Sequence, residues 1–172
     1  MRRALLPILA LGLGRPTHAQ NSTIALPVRV RLLHSSASAA LSTTRTASEV
    51  RTLLAVANQV WAGAGIRWEL ETVIREEALA GAAFDSLLAG QLEPNASRLL
   101  APIPRGAILQ PGWNVFLIRD FGRIAGGMFN PQVSGVVLAE RGFGYEPTPE
   151  YRGGRTLAHE LGHSLGLGHV PV

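Results

Sequence analysis

Residues 159–169 read HELGHSLGLGH, which places three histidines and one glutamate within eleven positions. On a helix, His159 and His163 are four residues apart, so their imidazoles project from the same face one turn apart. Two such nitrogens suit a tetrahedral zinc site, in which metal–nitrogen distances are about 2.0–2.1 Å. Glu160 follows the first histidine, where it can take a proton from water at the open position of the metal.

The third histidine, His169, lies six positions after His163. A continued helix would turn His169 away from the other two imidazoles, so the helix must end before it. Gly166 stands where a left-handed residue could end the helix and turn the chain back. The stretch therefore predicts a metal site made of His159, His163 and His169, with a fourth position left for water.

Chance explains this pattern poorly. A His-Glu pair on a helix is usually part of a solvated face, and a bare H-E-x-x-H recurs in many proteins. Here five positions, H-E-x-x-H-x-x-G-x-x-H, are fixed. With about one residue in twenty at each position, a chance match is expected roughly once in twenty thousand chains of this length. The pattern resembles the signature of the metzincin clan of zinc endopeptidases.

The resemblance implies an α+β, zincin-like fold: a twisted mixed sheet with an antiparallel edge strand, packed on two long helices, with the active-site helix at the C-terminus. It also implies a Zn²⁺ cofactor, a protein or peptide substrate, and peptide hydrolysis with Glu160 as general base. In this family the edge strand pairs with an extended substrate, and residues 124–130 would be that strand. Gly126, Gly127 and Met128 are therefore predicted substrate-binding residues, although the two glycines could instead mark a bulge without a binding role.

One part of the family pattern is missing. Metzincins carry a methionine turn after the third histidine, whereas the methionines here are Met1 and Met128. The difference favours a second hypothesis, a catalytically weak or inert zinc-binding relative that acts as a binding module, while the intact Glu160 favours the enzyme. The missing methionine turn also predicts that the catalytic domain, residues 20–172, is an upper subdomain truncated at its C-terminus. The apolar face of the active-site helix would then stay partly exposed: Leu157, Leu161 and Leu165.

Residues 1–19 read as a secretory signal peptide. Arg2 and Arg3 precede a short apolar core, and Thr17-His18-Ala19 offers a small-residue cleavage site. The apolar run is shorter than the roughly 20 residues that span a bilayer. We therefore expect a secreted or periplasmic protein, bacterial in type and without a membrane span; a buried N-terminal strand is the alternative.

The charge balance argues against a nucleic-acid partner. The chain has 16 basic residues, all of them arginine, and 12 acidic residues. Three of the arginines lie in or next to the predicted signal peptide, which leaves a nearly neutral mature chain without the basic excess typical of nucleic-acid or polybasic membrane binding. There is no cysteine, which excludes disulfides and thiolate zinc ligands.

The first half of the mature chain predicts a strand, a helix and a second strand. Residues 26–33 and 66–74 alternate apolar and polar side chains, the pattern of half-buried strands. Thr46 and Glu49 form a capping-box pattern that opens a helix ended by Gly63 and Gly65. We expect the tryptophans of this half to pack in the core: Trp61 and Trp68.

The second half is less regular. Residues 76–100 predict one or two short helices, broken at Gly90 and Pro94, which form either a surface insertion near the cleft or a long connection. Residues 101–112 predict a loop. Residues 113–118 predict a central buried strand, with strands at 124–130 and 133–140 and a loop over 141–154. The active-site helix should begin between 149 and 155, and Gly162 within it predicts tight packing on a neighbouring backbone.

Overall fold

The computed structural model describes residues 23–104, 106, 112–122, 124–133, 135–140 and 148–169. The predicted signal peptide and half of the predicted loop 101–112 lie outside these residues. The described chain has a mixed α+β fold with a five-stranded mixed sheet and a C-terminal helix. Its strands are β1 (Ile24–His34), β2 (Ile66–Glu77), β3 (Trp113–Ile118), β4 (Gly127–Asn130) and β5 (Gly135–Ala139); its helices are α1 (Ala47–Trp61), α2 (Gly81–Leu88), α3 (Ala96–Leu100) and α4 (Pro149–Ser164).

The sheet has the strand order β2-β1-β3-β5-β4. Four strands are parallel, and β4 runs antiparallel to β5 at one edge. The predicted central strand is confirmed, because β3 lies in the middle of the sheet and is almost entirely buried. The predicted edge strand is shorter than its sequence pattern, since β4 begins at Gly127 and residues 124–126 come before it.

The predicted first strand is confirmed, but it is not half-buried, because consecutive residues on both of its faces are buried. Val28, Val30 and Leu32 are buried. The arginines between them pair with carboxylates of the neighbouring β2: Arg29 with Glu71, and Arg31 with Glu76. Arg31 is buried rather than solvated, and burial of a guanidinium requires such a partner.

Helix α1 begins with the predicted capping box. The Thr46 hydroxyl accepts the Glu49 N–H, and the Glu49 carboxylate accepts the Thr46 N–H. A 3₁₀ turn, Ala62–Ala64, follows the helix and ends at Gly65, whose φ of 68° is left-handed. The glycine is suited to this position because the conformation is costly for other L residues.

The front face of the sheet is covered by the two long helices, α1 and α4. Their buried apolar residues form one core with the sheet. Trp68, 1% exposed, lies in this core and makes edge contacts with the rings of Trp61 and Trp113 at 6.4 and 5.6 Å. The prediction that Trp68 is a core residue is confirmed; Trp61 is partly buried against the same core.

The back face of the sheet is covered by the region whose role the sequence left open. Helices α2 and α3 occupy it as two short helices, with Gly90 left-handed between them. Their apolar side chains form a second core with β3 and β5, which includes Phe84, Leu87 and Phe116. The segment is therefore neither a surface insertion at the cleft nor a simple connection. It is a structural layer, because the apolar back face needs a cover.

Helix α4 begins at Pro149, which confirms the predicted start between 149 and 155 and makes the predicted loop over 141–154 too long at its C-terminal end. Two glycines in its first turns allow close contact with α1. A Cβ on Gly154 would lie 2.5 Å from Val56 Cβ and 2.8 Å from Leu53 O, and one on Gly153 would lie 2.9 Å from Leu53 Cδ2. The predicted packing of Gly162 on a neighbouring backbone is wrong. A Cβ on Gly162 would instead lie 3.4 Å from the Trp61 ring.

The apolar face of α4 is not left open. Leu157 is 3% exposed and Leu161 is fully buried, while Leu165 is partly buried against the front core. The expectation that this face stays partly exposed is therefore wrong for Leu157 and Leu161, because α1 and the sheet already cover them, and holds only for Leu165.

Candidate metal centre

Both ends of α4 are defined by local sequence. At its start, the Thr148 hydroxyl accepts the Tyr151 N–H at 3.2 Å, and Pro149 occupies the first turn, where no N–H is needed. At its end, Leu167 N–H donates to Gly162 O and Gly166 N–H donates to His163 O. These two bonds form a Schellman motif. Gly166 has a φ of 86°, which confirms the predicted left-handed turn.

This turn brings the third histidine back to the helix. The Nε2 atoms of His159 and His163 lie 3.1 Å apart, and His169 Nε2 lies 3.1 Å from the first and 3.0 Å from the second. The three nitrogens form a nearly equilateral triangle at the exposed end of α4. In a neutral imidazole, Nε2 is either a donor or an acceptor, so at least two of the three Nε2 atoms are of the same kind. Two donors or two acceptors cannot bond to each other, so hydrogen bonds cannot join all three pairs.

The chain also sets the tautomer of one imidazole. His163 Nδ1 lies 2.7 Å from Leu167 O. A carbonyl oxygen only accepts, so Nδ1 carries the proton and Nε2 of the neutral ring presents its lone pair to the triangle. Such a second bond is the usual way in which a protein orients a metal-binding histidine. The three histidines could therefore hold a metal ion.

Glu160 lies beside the histidines but is buried, with 8% of its surface exposed. Its Oε2 accepts the backbone N–H of Phe129, on β4, at 2.8 Å. Its Oε1 accepts no hydrogen bond from the described residues. This oxygen is not one of the fully buried polar atoms that lack a partner, so it is open to the cleft. One carboxylate oxygen is thus anchored to the sheet, and the other is left for a partner in the cleft.

The backbone of β4 explains this anchor. Ala139 N–H donates to Gly126 O, so the antiparallel ladder bonds β4 to β5 at alternate residues from Gly126 onward. Gly127 and Phe129 then direct their N–H and C=O groups away from β5, towards the free edge and Glu160. A Cβ on Gly127 would lie 2.9 Å from both Glu160 Cγ and Thr156 Cγ2. The glycine permits the close approach of α4 to the strand.

The predicted substrate-binding residues lie along this edge. Gly126 is buried, Gly127 faces Glu160, and Met128 packs against the back core. All three residues line the cleft. Only Gly127 directs its N–H and C=O groups to the free edge, because those of Gly126 and Met128 face β5. The Met128 side chain belongs to the opposite face of the sheet. Their part in substrate binding stays a prediction.

Two connected hollows form this cleft. One, of about 490 Å³, is lined by β4 and the three histidines; the other, of about 410 Å³, is lined by residues 124–127 and the preceding turn of α4. Gly127, His159 and Glu160 line both hollows. Both hollows therefore lie beside the histidines, the glutamate and the edge of β4.

Sequence reasoning missed two residues of the site. Phe129 acts through its backbone N–H, for which a side-chain pattern holds no signal. Arg155 lines the second hollow; its position four residues before His159 was a usable signal, because residues at this spacing share a helix face.

No protein-family model matches the chain, and no curated protein matches it. Among the described residues, no helix is both long and apolar enough to cross a membrane.

Proposed function

We propose that the protein is a secreted or periplasmic zinc-dependent endopeptidase of metzincin type. The observation that carries the proposal is the triangle of Nε2 atoms beside a half-anchored carboxylate. Ligand nitrogens of a tetrahedral zinc centre lie about 3.3–3.4 Å apart when the bonds are about 2.0–2.1 Å. The separations of 3.0–3.1 Å among His159, His163 and His169 fit this spacing after a small expansion.

The zinc ion, Glu160 and the β4 backbone have separate roles in the proposed reaction. Zinc, when bound, acidifies a water ligand and polarises a carbonyl oxygen. Oε1 of Glu160 takes a proton from the attacking water and passes it to the leaving amine nitrogen. The bond from Phe129 N–H holds the carboxylate in place during both transfers. Free N–H and C=O groups of β4 bind an extended peptide by strand addition.

Metal analysis and hydrolysis together test this proposal. We expect the wild type to bind one zinc per chain and to cleave a generic protein substrate. His163→Ala should lose the zinc. His34→Ala is the matched control, because His34 pairs with Glu77 on the sheet and not with the triangle. Equal zinc in wild type and His163→Ala would refute the ligand assignment.

The glutamate separates the enzyme from an inert zinc-binding module. Glu160→Gln should keep the zinc but lose about 10²–10⁴ in rate, because the amide cannot take the proton. A wild type that binds zinc but cleaves nothing would favour the binding module. Hydrolysis by Glu160→Gln at the wild-type rate would exclude Glu160 as the general base.

A further inference from the structure

A third hollow lies beside the histidines, between α4 and the C-terminal end of α1. We name it the α1-side hollow, and its volume is about 330 Å³. His159 and His163 line both this hollow and the hollow beside β4. The two histidines thus form a wall that the two hollows share, and a ligand held at the histidines borders the α1-side hollow as well as the strand edge.

The lining of the α1-side hollow is mostly apolar. Aliphatic, aromatic and glycine residues from both helices and from the turn after α4 contribute to it: Val60, Trp61, Ala158, Gly162 and Leu167. Val60 and Leu167 are each 55% exposed. Two large apolar side chains exposed at one hollow differ from the singly scattered ones that are normal on a protein surface, and such grouping is typical of a binding site.

The polar side chains at this hollow interact within the protein. Trp61 Nε1–H donates to a backbone carbonyl of α4 at 3.2 Å, and His163 Nδ1 donates to the Leu167 carbonyl. His159 Nε2 belongs to the triangle. Arg155 also lines the hollow and has an interaction of its own. A polar ligand group would lose water here without gaining a partner, which costs free energy, so the hollow favours an apolar occupant.

Gly162 keeps part of the hollow open. A Cβ at this position would lie 3.4 Å from Trp61 Cζ2 and 3.7 Å from Leu167 Cδ1, which are ordinary contact distances. Alanine would therefore fit without a clash, and it is favoured over glycine inside a helix. The glycine leaves empty a space that a methyl group could fill, at a cost in helix stability.

We propose that the α1-side hollow binds a large aliphatic or aromatic side chain of the substrate, from a residue near the cleaved bond. The proposal rests on the proposed peptidase function and names its substrate class. The edge of β4 would bind the peptide backbone, which all substrates share. The α1-side hollow would distinguish between side chains, because its own lining is apolar.

Matched peptides test this selectivity. Each pair would carry Leu or Asn, which are similar in size, at one of three positions on either side of the cleaved bond. We expect kcat/KM of the zinc-loaded wild type to be about tenfold higher for the Leu member at one position, as for the transfer of an apolar side chain from water into a partly open site. No preference for Leu at any position would overturn the proposal.

Variants of the lining assign the preference. Gly162→Ala should lower the Leu-to-Asn ratio by narrowing the hollow, and thermal stability should be kept or raised because alanine is the better helix former. Val60→Ser should lower the ratio by removing apolar wall. Ile74→Ser is the matched control, since Ile74 is also an exposed aliphatic residue but lies on β2 and lines none of the three hollows. An unchanged ratio in both Gly162→Ala and Val60→Ser would refute the assignment.

A binding measurement distinguishes failure of this inference from failure of the peptidase hypothesis. If the wild type cleaves no peptide, the peptidase function fails, and anisotropy of labelled Leu and Asn peptides on the protein with and without zinc then tests the hollow alone. Tighter binding of the Leu peptide that is lost in Val60→Ser and kept in Ile74→Ser would support the side-chain site. Equal binding of the two peptides would exclude it.

Discussion

His163 is oriented by the turn that follows it. Its Nδ1 donates to Leu167 O, and that carbonyl is in place because Gly166 closes the helix in a left-handed conformation. The same turn delivers His169 to the triangle. This glycine, whose side-chain position touches no other residue, thus controls the placement of two of the three histidines.

Gly166→Val should weaken metal binding although every ligand remains. A β-branched residue is a genuine outlier at positive φ, and the left-handed conformation costs about 1–2 kcal/mol per residue. No atom lies within 4 Å of a Cβ at this position, so the effect is backbone strain and not a clash. We expect zinc affinity to fall by roughly tenfold, measured by competition with a chromogenic chelator.

Gly168→Val is the control for this change. Gly168 is also free of neighbours within 4 Å, but its φ is not in the left-handed range. The Gly168→Val variant should bind zinc nearly as tightly as the wild type. Similar losses in both variants would mean that bulk in the turn, and not the conformation of Gly166, limits affinity.

Gly127→Ala should damage hydrolysis while sparing the metal. The new methyl group would lie 2.9 Å from Glu160 Cγ and Thr156 Cγ2, and 3.3 Å from Leu138 Cδ1. We expect Glu160 to shift from Phe129, with about 1–3 kcal/mol of lost stability from overpacking and at least a tenfold loss in kcat. Gly63→Ala, where a Cβ meets no atom within 4 Å, is the comparison. Full activity in Gly127→Ala would show that hydrolysis tolerates a shift of the Glu160 carboxylate.

At the scale of elements, the first turn of α1 couples stability to pH. Hydrogen bonds from the Thr46 backbone N–H and then its hydroxyl lower the pKa of the Glu49 carboxyl below its ordinary value. The charged form is thus favoured in the folded state. Its stabilising contribution is complete above the ordinary pKa of Glu49 and is lost as the pH falls through the lowered, folded-state value.

Thr46→Ala should therefore cost most at neutral pH. Loss of the cap typically destabilises a helix by about 1 kcal/mol, and the part that depends on charged Glu49 should fade below about pH 4. Urea unfolding at a series of pH values measures this. Ser48→Ala, an exposed serine in the same turn, serves as the control. A cost for Thr46→Ala that is constant between neutral and acid pH would contradict the coupling.

At the scale of the whole molecule, the three histidines lie outside both cores. The front core joins α1 and α4 to the sheet, and the back core joins α2 and α3 to its other face. The histidines belong to neither and lie at the exposed end of α4. The fold should therefore persist without metal, unlike that of a small zinc domain.

Chelation should lower thermal stability without unfolding the chain. Far-UV circular dichroism should be unchanged by a chelator at room temperature, because the cores remain intact. Added zinc should raise the unfolding midpoint, with about 4 kcal/mol of stabilisation at a free concentration 1,000 times the Kd. His163→Ala should show no such rise, while His34→Ala should respond as the wild type does. Unfolding of the wild type by the chelator would show that the metal supports the fold itself.

The sequence alone determined the features that depend on neighbouring residues. The capping box at Thr46, the ends of β3, the left-handed Gly166 and the convergence of three histidines all follow from spacings of three to six residues. At such distances the geometry of a helix or turn leaves few alternatives. The histidine cluster was predictable because its three members lie within one helix and its C-terminal turn.

Only the tertiary structure decided what faces the metal site and what covers the sheet. The bond between Phe129 and Glu160 joins residues 31 positions apart, and the back layer of α2 and α3 meets strands that follow it in the chain. Neither has a local pattern, because a backbone N–H carries no sequence signal and short apolar helices can cover either face of a sheet. The close contact at Gly154 is likewise set by the path of α1, since Val56 is its nearest neighbour. These features depend on how elements pack, and packing is set by the shapes of distant surfaces brought together in the fold.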